Sequence, residues 1–168
     1  MTMNYDEKIH ELTGKMIAFD AGDPKRIQHF IKVYSFAGYI EKSEGLDSEE
    51  CFILESAALV HDIGIRPAEE KYQRCDGKIQ EQVGPEYARR MLKELSYTEE
   101  QTDRVCFLVA HHHTYDNIEG VDYQILVEAD LLVNMYEDEM SLDAAKSAYE
   151  KIFMTKTGKE LCRTMYQL

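Results

Sequence analysis

The sequence predicts an all-α fold, and three observations carry that prediction. Apolar residues recur at three- and four-residue spacing along nearly every segment, as one buried helix face requires. No segment sustains the two-residue alternation of a half-buried strand. Cap residues, glycines and prolines fall where one apolar stripe gives way to the next. A chain of 168 residues fits one domain and can bury a real core. The whole chain, 1–168, is therefore read as a single helical bundle.

Residues 3–20 read as a first helix, with Ile9, Leu12, Met16 and Ile17 on one side. Asp23 and Pro24 then make an N-cap and a first helical position. The second helix, about 24–42, carries His29, Val33, Phe36 and Ile40 on one face, so His29 points inward with core residues. Ser48, followed by Glu49 and Glu50, opens a third helix that runs to His61-Asp62, and Gly64 is read as the residue that lets the chain turn. Ile65 to Lys78 reads as a loop across the mouth of a site. Pro85 is expected to open the next helix, through Ala88, Met91, Leu92 and Leu95. Thr98 with Gln101 three residues on marks another start; that helix ends in His111-His112-His113. After a loop at Asn117–Gly120, residues 121–136 put Tyr123, Leu126, Val127, Asp130 and Val133 on one face. Ser141 caps a helix to Phe153, and a short last helix follows Thr157-Gly158; these C-terminal helices, 141–168, complete the bundle.

Composition narrows the function. A net charge of −13, from 32 acidic and 19 basic residues, argues against a broad nucleic-acid or anionic-membrane surface. A small anionic substrate stays compatible if a bound metal supplies local positive charge. No apolar run approaches the ~20 residues that span a bilayer, and the polar stretch Met1–Glu11 does not read as a signal peptide. The four cysteines are spread out with no CxxC, which suits reduced thiols in a cytoplasmic protein. A homo-oligomer is compatible with the sequence.

The chemistry gathers on histidines and two carboxylates. Ala57, Ala58 and Leu54 precede His61 at helical spacing, so His61 continues a buried face with Asp62 beside it. Asp130 stands in an apolar stripe between Leu126, Val127 and Val133. An unpaired carboxylate buried there would cost several kcal/mol. A buried arginine, a helix cap or a raised pKa would explain Asp130 alone; a divalent cation would explain it together with the histidines. For His61-Asp62 taken alone, a buried hydrogen bond without any ion remains the alternative. His10 reads as a surface histidine.

In order and rough separation, His29, His61-Asp62 and Asp130 resemble the motif of the HD superfamily of metal-dependent phosphohydrolases. His61-Asp62-Ile63-Gly64 looks like that family's HDIG form. The likeness covers about residues 24–136 and implies an all-α bundle. It also implies that His29, His61, Asp62 and Asp130 bind a first metal, with Asp62 bridging to any second one; Asp62 or a neighbouring carboxylate would then orient an activated water. Dinuclear members add a histidine between these motifs and a later His-His pair. His111-His112-His113 is similar to the latter, with His111 and His112 in the ligand places; the intervening histidine is lacking, and Glu81 or Gln82 stands where it is expected, a glutamate being a competent substitute. The GYP element of one such group is absent, so cyclic-dinucleotide hydrolysis is not implied.

The resemblance thus implies hydrolysis of a small phosphate ester or nucleotide. Arg66 and Lys78 are candidates to hold phosphate oxygens. One or two divalent ions are expected, among iron, manganese, nickel, cobalt, zinc and magnesium, with several imidazoles favouring a transition metal. Two other readings fit the same residues: a dinuclear iron oxygenase of the superfamily, and a metal-stabilised, non-catalytic ligand-binding or regulatory module.

Overall fold

A computed structural model describes residues 3–168; Met1 and Thr2, part of the N-terminal stretch discussed above, lie outside the described residues. Among the described residues every regular element is a helix, and the all-α expectation holds. The order is α1 Tyr5–Phe19, α2 Pro24–Glu44, α3 Ser48–Val60, α4 Ile65–Tyr72, α5 Gly77–Glu94, α6 Glu99–His111, α7 Val121–Glu137, α8 Leu142–Ile152 and α9 Lys156–Tyr166.

Most helix starts follow from local hydrogen bonding. Asn4 with Glu7, Asp47 with Glu50 and Thr98 with Gln101 each form a reciprocal capping box, which satisfies two otherwise orphaned N–H groups. The cap of α3 is thus Asp47 rather than Ser48. Asp23 caps α2 by accepting from Arg26 N–H, and Pro24 takes the first helical position. Thr155 caps α9 by accepting from Gly158 N–H at 2.9 Å, so that helix starts before Thr157-Gly158 rather than after.

Two expectations fail on proline. The stretch expected as a loop holds α4, because Pro67 sits in its first turn, where a missing N–H costs nothing. Helix α5 starts at Gly77 under an Asp76 cap, eight residues before the expected start, and carries Pro85 in its interior. Only Gln73 to Asp76 remains irregular between the two. Gly64 also differs from its reading. Its φ is −73°, an ordinary right-handed value. Glycine is needed there because a Cβ would lie 2.8 Å from both Gln80 O and Gly84 N of α5.

Helix α7 is the centre of the bundle. From Ile125 to Val133 every residue is buried, with α2, α3 and α9 packed around it. Helices α5 and α6 form a second packed pair against α3 and α1. Phe52 of α3 stacks between Tyr5 and Tyr97, at centroid distances of 4.1 and 4.8 Å. Glu128 of α7 is fully buried but satisfied, accepting from Met154 N–H, Thr155 N–H and the Thr155 hydroxyl at 2.6–2.8 Å. It ties the α8–α9 junction to the core. This packing brings the start of α2, the ends of α3 and α6, and the middle of α7 to one place.

Candidate metal centre

Four side chains from three helices meet there. His29 comes from the second turn of α2, His61 is the C-cap of α3, Asp62 follows it, and Asp130 projects from mid-α7. His29 Nε2 lies 3.1 Å from His61 Nε2, 3.1 Å from Asp62 Oδ2 and 3.2 Å from Asp130 Oδ1. His61 Nε2 lies 3.3 Å from Asp62 Oδ2 and 3.4 Å from Asp130 Oδ1. His112, which caps α6, brings its Nε2 to 3.4 Å from the other oxygen of Asp62.

The histidine protons explain why these atoms converge. His61 Nδ1–H donates to Ala58 O at 2.7 Å, and His112 Nδ1–H donates to Val109 O at 2.8 Å. His29 Nδ1–H donates to Glu137 Oε2 at 3.2 Å. A neutral imidazole has one N–H, and each of the three has spent it facing away. Three lone pairs and two carboxylates therefore point at one another. Asp130 Oδ1 and His112 Nε2 are buried without a hydrogen-bond partner. Such an arrangement is unfavourable unless positive charge sits among the donors. Donors sharing a cation at about 2.1 Å stand about 3–3.5 Å apart, which matches the spacings here. The ends of α3 and α6 add the negative poles of two helix dipoles. The donor set fits a divalent metal.

Without a metal, protons would have to supply the charge. Burial disfavours every charged form here, yet the opposite charges prevail. Hydrogen bonds to Asp130 and Asp62 push His29 up to about 9. Against the same burial, Asp62 and Asp130 hold His61 well above its ordinary value. The two carboxyls are held well below theirs by the histidines around them.

A second donor group, Asp62, His112 and His113, adjoins the first. Asp62 faces both, one oxygen to each. His113 is pushed down to about 4 by burial and by His112, and so stays neutral. Gln80 Nε2 donates to Cys75 O, which turns Gln80 Oε1 toward His113 Nε2 at 2.9 Å. His113 therefore carries its proton on Nε2 and leaves Nδ1 free.

This corrects the choice within the histidine run. His111 is turned out of the cluster: its Nδ1–H donates to Phe107 O at 2.7 Å and its ring stacks on Phe107. The pair that converges is His112 and His113, because α6 ends at His111 and the next residues swing inward. Glu81 is in neither donor group. One of its oxygens accepts from His113 N–H at 3.0 Å and from the Thr114 hydroxyl at 2.9 Å, so it fixes the backbone that carries the two histidines.

The expected phosphate anchors are also displaced. Arg66 donates to Phe19 O and lies 3.5 Å from Glu70. Lys78 is exposed and lines no part of the cleft beside the cluster. That cleft, about 230 Å³, is bordered by Lys25, Arg26, Ile65, Asn134 and Glu137 along with His29 and Asp62. Arg26 is held by Glu69 at 3.0 and 3.1 Å. Tyr72 and Tyr115 are exposed. Asn134 and Glu137 escaped the sequence reading, although they follow Asp130 at four and seven residues, on its own helix face. Asp20, at the end of α1, was missed as well. It is buried, and burial raises its carboxyl to about 6 even with Arg26 and Arg66 nearby.

The comparisons with known proteins agree with this architecture. The HD-domain family model matches residues 26–153, and the chain belongs to the HD-domain family. Its fold is similar to the crystal structure of a predicted HD superfamily hydrolase from an uncultured Thermotogales bacterium. That match has a TM-score of 0.67 at 24% identity, over 96% of this chain and 84% of the other. Bacillus subtilis YpgQ is also similar, with a TM-score of 0.67 at 17% identity over 98% of this chain and 89% of the other. No curated protein matches.

Proposed function

We propose that this chain is a metal-dependent phosphohydrolase acting on a small phosphate ester or nucleotide. The observation that carries this reading is the inward convergence of the His29, His61 and His112 lone pairs with both carboxylates, every histidine N–H being used elsewhere. The family membership and the hydrolase description of the Thermotogales relative support it. His29, His61, Asp62 and Asp130 would hold one ion; Asp62, His112 and His113 would hold a second. With mainly imidazole donors, a transition metal is favoured over magnesium. When bound, a divalent ion supplies Lewis acidity, activating water near neutral pH and neutralising phosphoryl charge.

The chain's own residues do the rest. Asp62, facing both donor groups, orients the attacking water. Lys25, at the cleft rim, meets the anionic substrate as it enters, which an acidic protein otherwise repels. Arg26, clamped by Glu69, shapes the wall beside it. We also place the protein in the cytoplasm: its cysteines are free, as a reducing compartment would keep them. No helix among the described residues is long and apolar enough to cross a membrane.

The test is chelation followed by reloading with manganese, nickel, cobalt, zinc, iron or magnesium one at a time. Hydrolysis of an aryl phosphate and of a nucleotide panel is then measured. The expected result is loss of turnover on chelation and recovery with at least one ion. Full turnover in the chelated protein would contradict the reading.

A further inference from the structure

Three histidines turn Nε2 toward the cluster, and each must place its Nδ1 proton somewhere. His61 and His112 stand at helix C-termini, where the carbonyls one turn back have no helical partner. Ala58 O and Val109 O take their protons. His29 has no such resource. It sits in the second turn of α2, where the preceding carbonyls already serve the helix. Its acceptor has to come from another helix, and α7 supplies it.

We propose that Glu137 is the positioning residue for His29, fixing the proton on Nδ1 so that Nε2 keeps its lone pair for the ion. Glu137 Oε2 lies 3.2 Å from His29 Nδ1. Its other oxygen lies 2.7 Å from Lys32 Nζ, on the α2 turn that follows His29. Lys32 in turn lies 5.8 Å from the Tyr136 ring centroid. The Glu137 side chain is only 11% exposed, so its carboxylate is held on both sides rather than swept by solvent. The spacing is economical: α7 presents Asp130 to the ion and, two turns later on the same face, the acceptor that aims a histidine of α2 at that ion. A carboxylate–histidine–metal chain of this kind orients the ring and strengthens it as a ligand. The inference rests on the proposal that the cluster holds a cation.

The test uses the full-length protein and Zn²⁺ as probe. Zn²⁺ affinity is measured by competition with a chromophoric chelator for wild type, Glu137→Ala and Glu137→Gln. The His29 tautomer is read by ¹⁵N–¹H correlation of the zinc-loaded, ¹⁵N-histidine-labelled proteins. Circular dichroism of the zinc-free proteins checks folding. Glu137→Ala is expected to lose about 10–100-fold in affinity and the fixed Nδ1–H signal of His29 while staying folded. Glu137→Gln, whose amide oxygen accepts the same proton, is expected to regain most of both. Wild-type affinity and tautomer in the alanine variant would overturn the proposal. So would a glutamine variant as weak as alanine, since charge rather than acceptance would then matter. If wild type itself takes up no zinc or other divalent ion, the cation reading fails first and this inference with it.

Discussion

Helix α2 meets α3 at two buried polar sites that resolve the same problem in opposite ways. Near its start, His29 faces His61 and Asp62. About three turns later, the fully buried Glu41 faces Glu55. The first site mixes imidazoles and carboxylates whose free electron pairs point at a common centre. The second holds two carboxyls of like sign. Both oxygens of Glu41 are buried without a hydrogen-bond partner, and the neighbouring cation Lys42 lies 3.7 Å from Glu55 on the exposed side. Burial, reinforced by Glu55, raises the Glu41 carboxyl well above the usual range. A proton on Glu41 relieves that site. At the histidine site the protons of the neutral imidazoles face outward, so without an ion extra protons have to be taken up among the inward nitrogens. The difference is that mixed donors aimed inward call for a metal ion, whereas a pair of like carboxyls is satisfied by a proton.

The largest effect that would break the comparison is at the first site. His61→Ala combined with Asp62→Ala removes donors from both groups. It should abolish divalent-ion uptake and cut phosphate-ester turnover by about 10³-fold or more, several kcal/mol of transition-state stabilisation. Elemental analysis and the aryl phosphate assay check this; a double variant with full activity contradicts the account.

Next in size is the effect of the ion on stability. At about 100 times its Kd, an ion bound only by the folded state adds about 2.7 kcal/mol, or roughly 5–10 °C in Tm for a chain of this length. In the ion-free protein His29 titrates near 9 rather than its ordinary 6.5. The folded protein therefore holds a proton that the unfolded chain has lost between those values. Its stabilising contribution is complete below pH 6.5 and fades as pH rises through 9. Thermal melts with and without ion, from pH 6 to 9.5, should show a steeper fall in the ion-free series, the His29 part being absent once the ion is bound.

The smallest expected effect is at the second site. Because Glu41 titrates above its ordinary value of 4.5, its protonation makes the folded state lose stability as pH climbs past 4.5. Glu41→Gln, neutral at every pH and able to donate to Glu55, should raise stability at pH 8 by about 1 kcal/mol, near 2–4 °C. The gain should shrink toward pH 4.5. A lower Tm at pH 8 would mean that Glu41 is ionised and paired. Because ion loading leaves this slope in place and Glu41→Gln leaves the His29 slope in place, the two sites can be separated in one set of melts.

Much of the fold was legible because its signals are local. The Thr98–Gln101 capping box and the apolar stripe around Asp130 lie within one or two turns of sequence. So does the inward face shared by His29, Val33, Phe36 and Ile40. What escaped depended on context. Pro67 and Pro85 look alike as helix breakers, yet one sits in a first turn and the other inside α5, and only the position of the Asp76 cap tells them apart. The choice among His111, His112 and His113 turns on where α6 ends, since each residue rotates the side chain by about 100°. Gly64 was recognised for the wrong reason: the constraint is the backbone of α5 beside it, which no local pattern reveals. Arg66 spends its guanidinium on Phe19 O, 47 residues away, and Glu137 serves a histidine 108 residues earlier. The convergence of the motif residues was readable; the side chains that orient them belong to the packing.

The most direct measurement is anomalous diffraction from crystals grown with Mn²⁺ after chelation. The account predicts a manganese peak within coordinating distance of His29 Nε2, His61 Nε2, Asp62 and Asp130. Crystals with manganese in the liquor but no peak there, and with those side chains hydrogen-bonded to one another or to water, would contradict it.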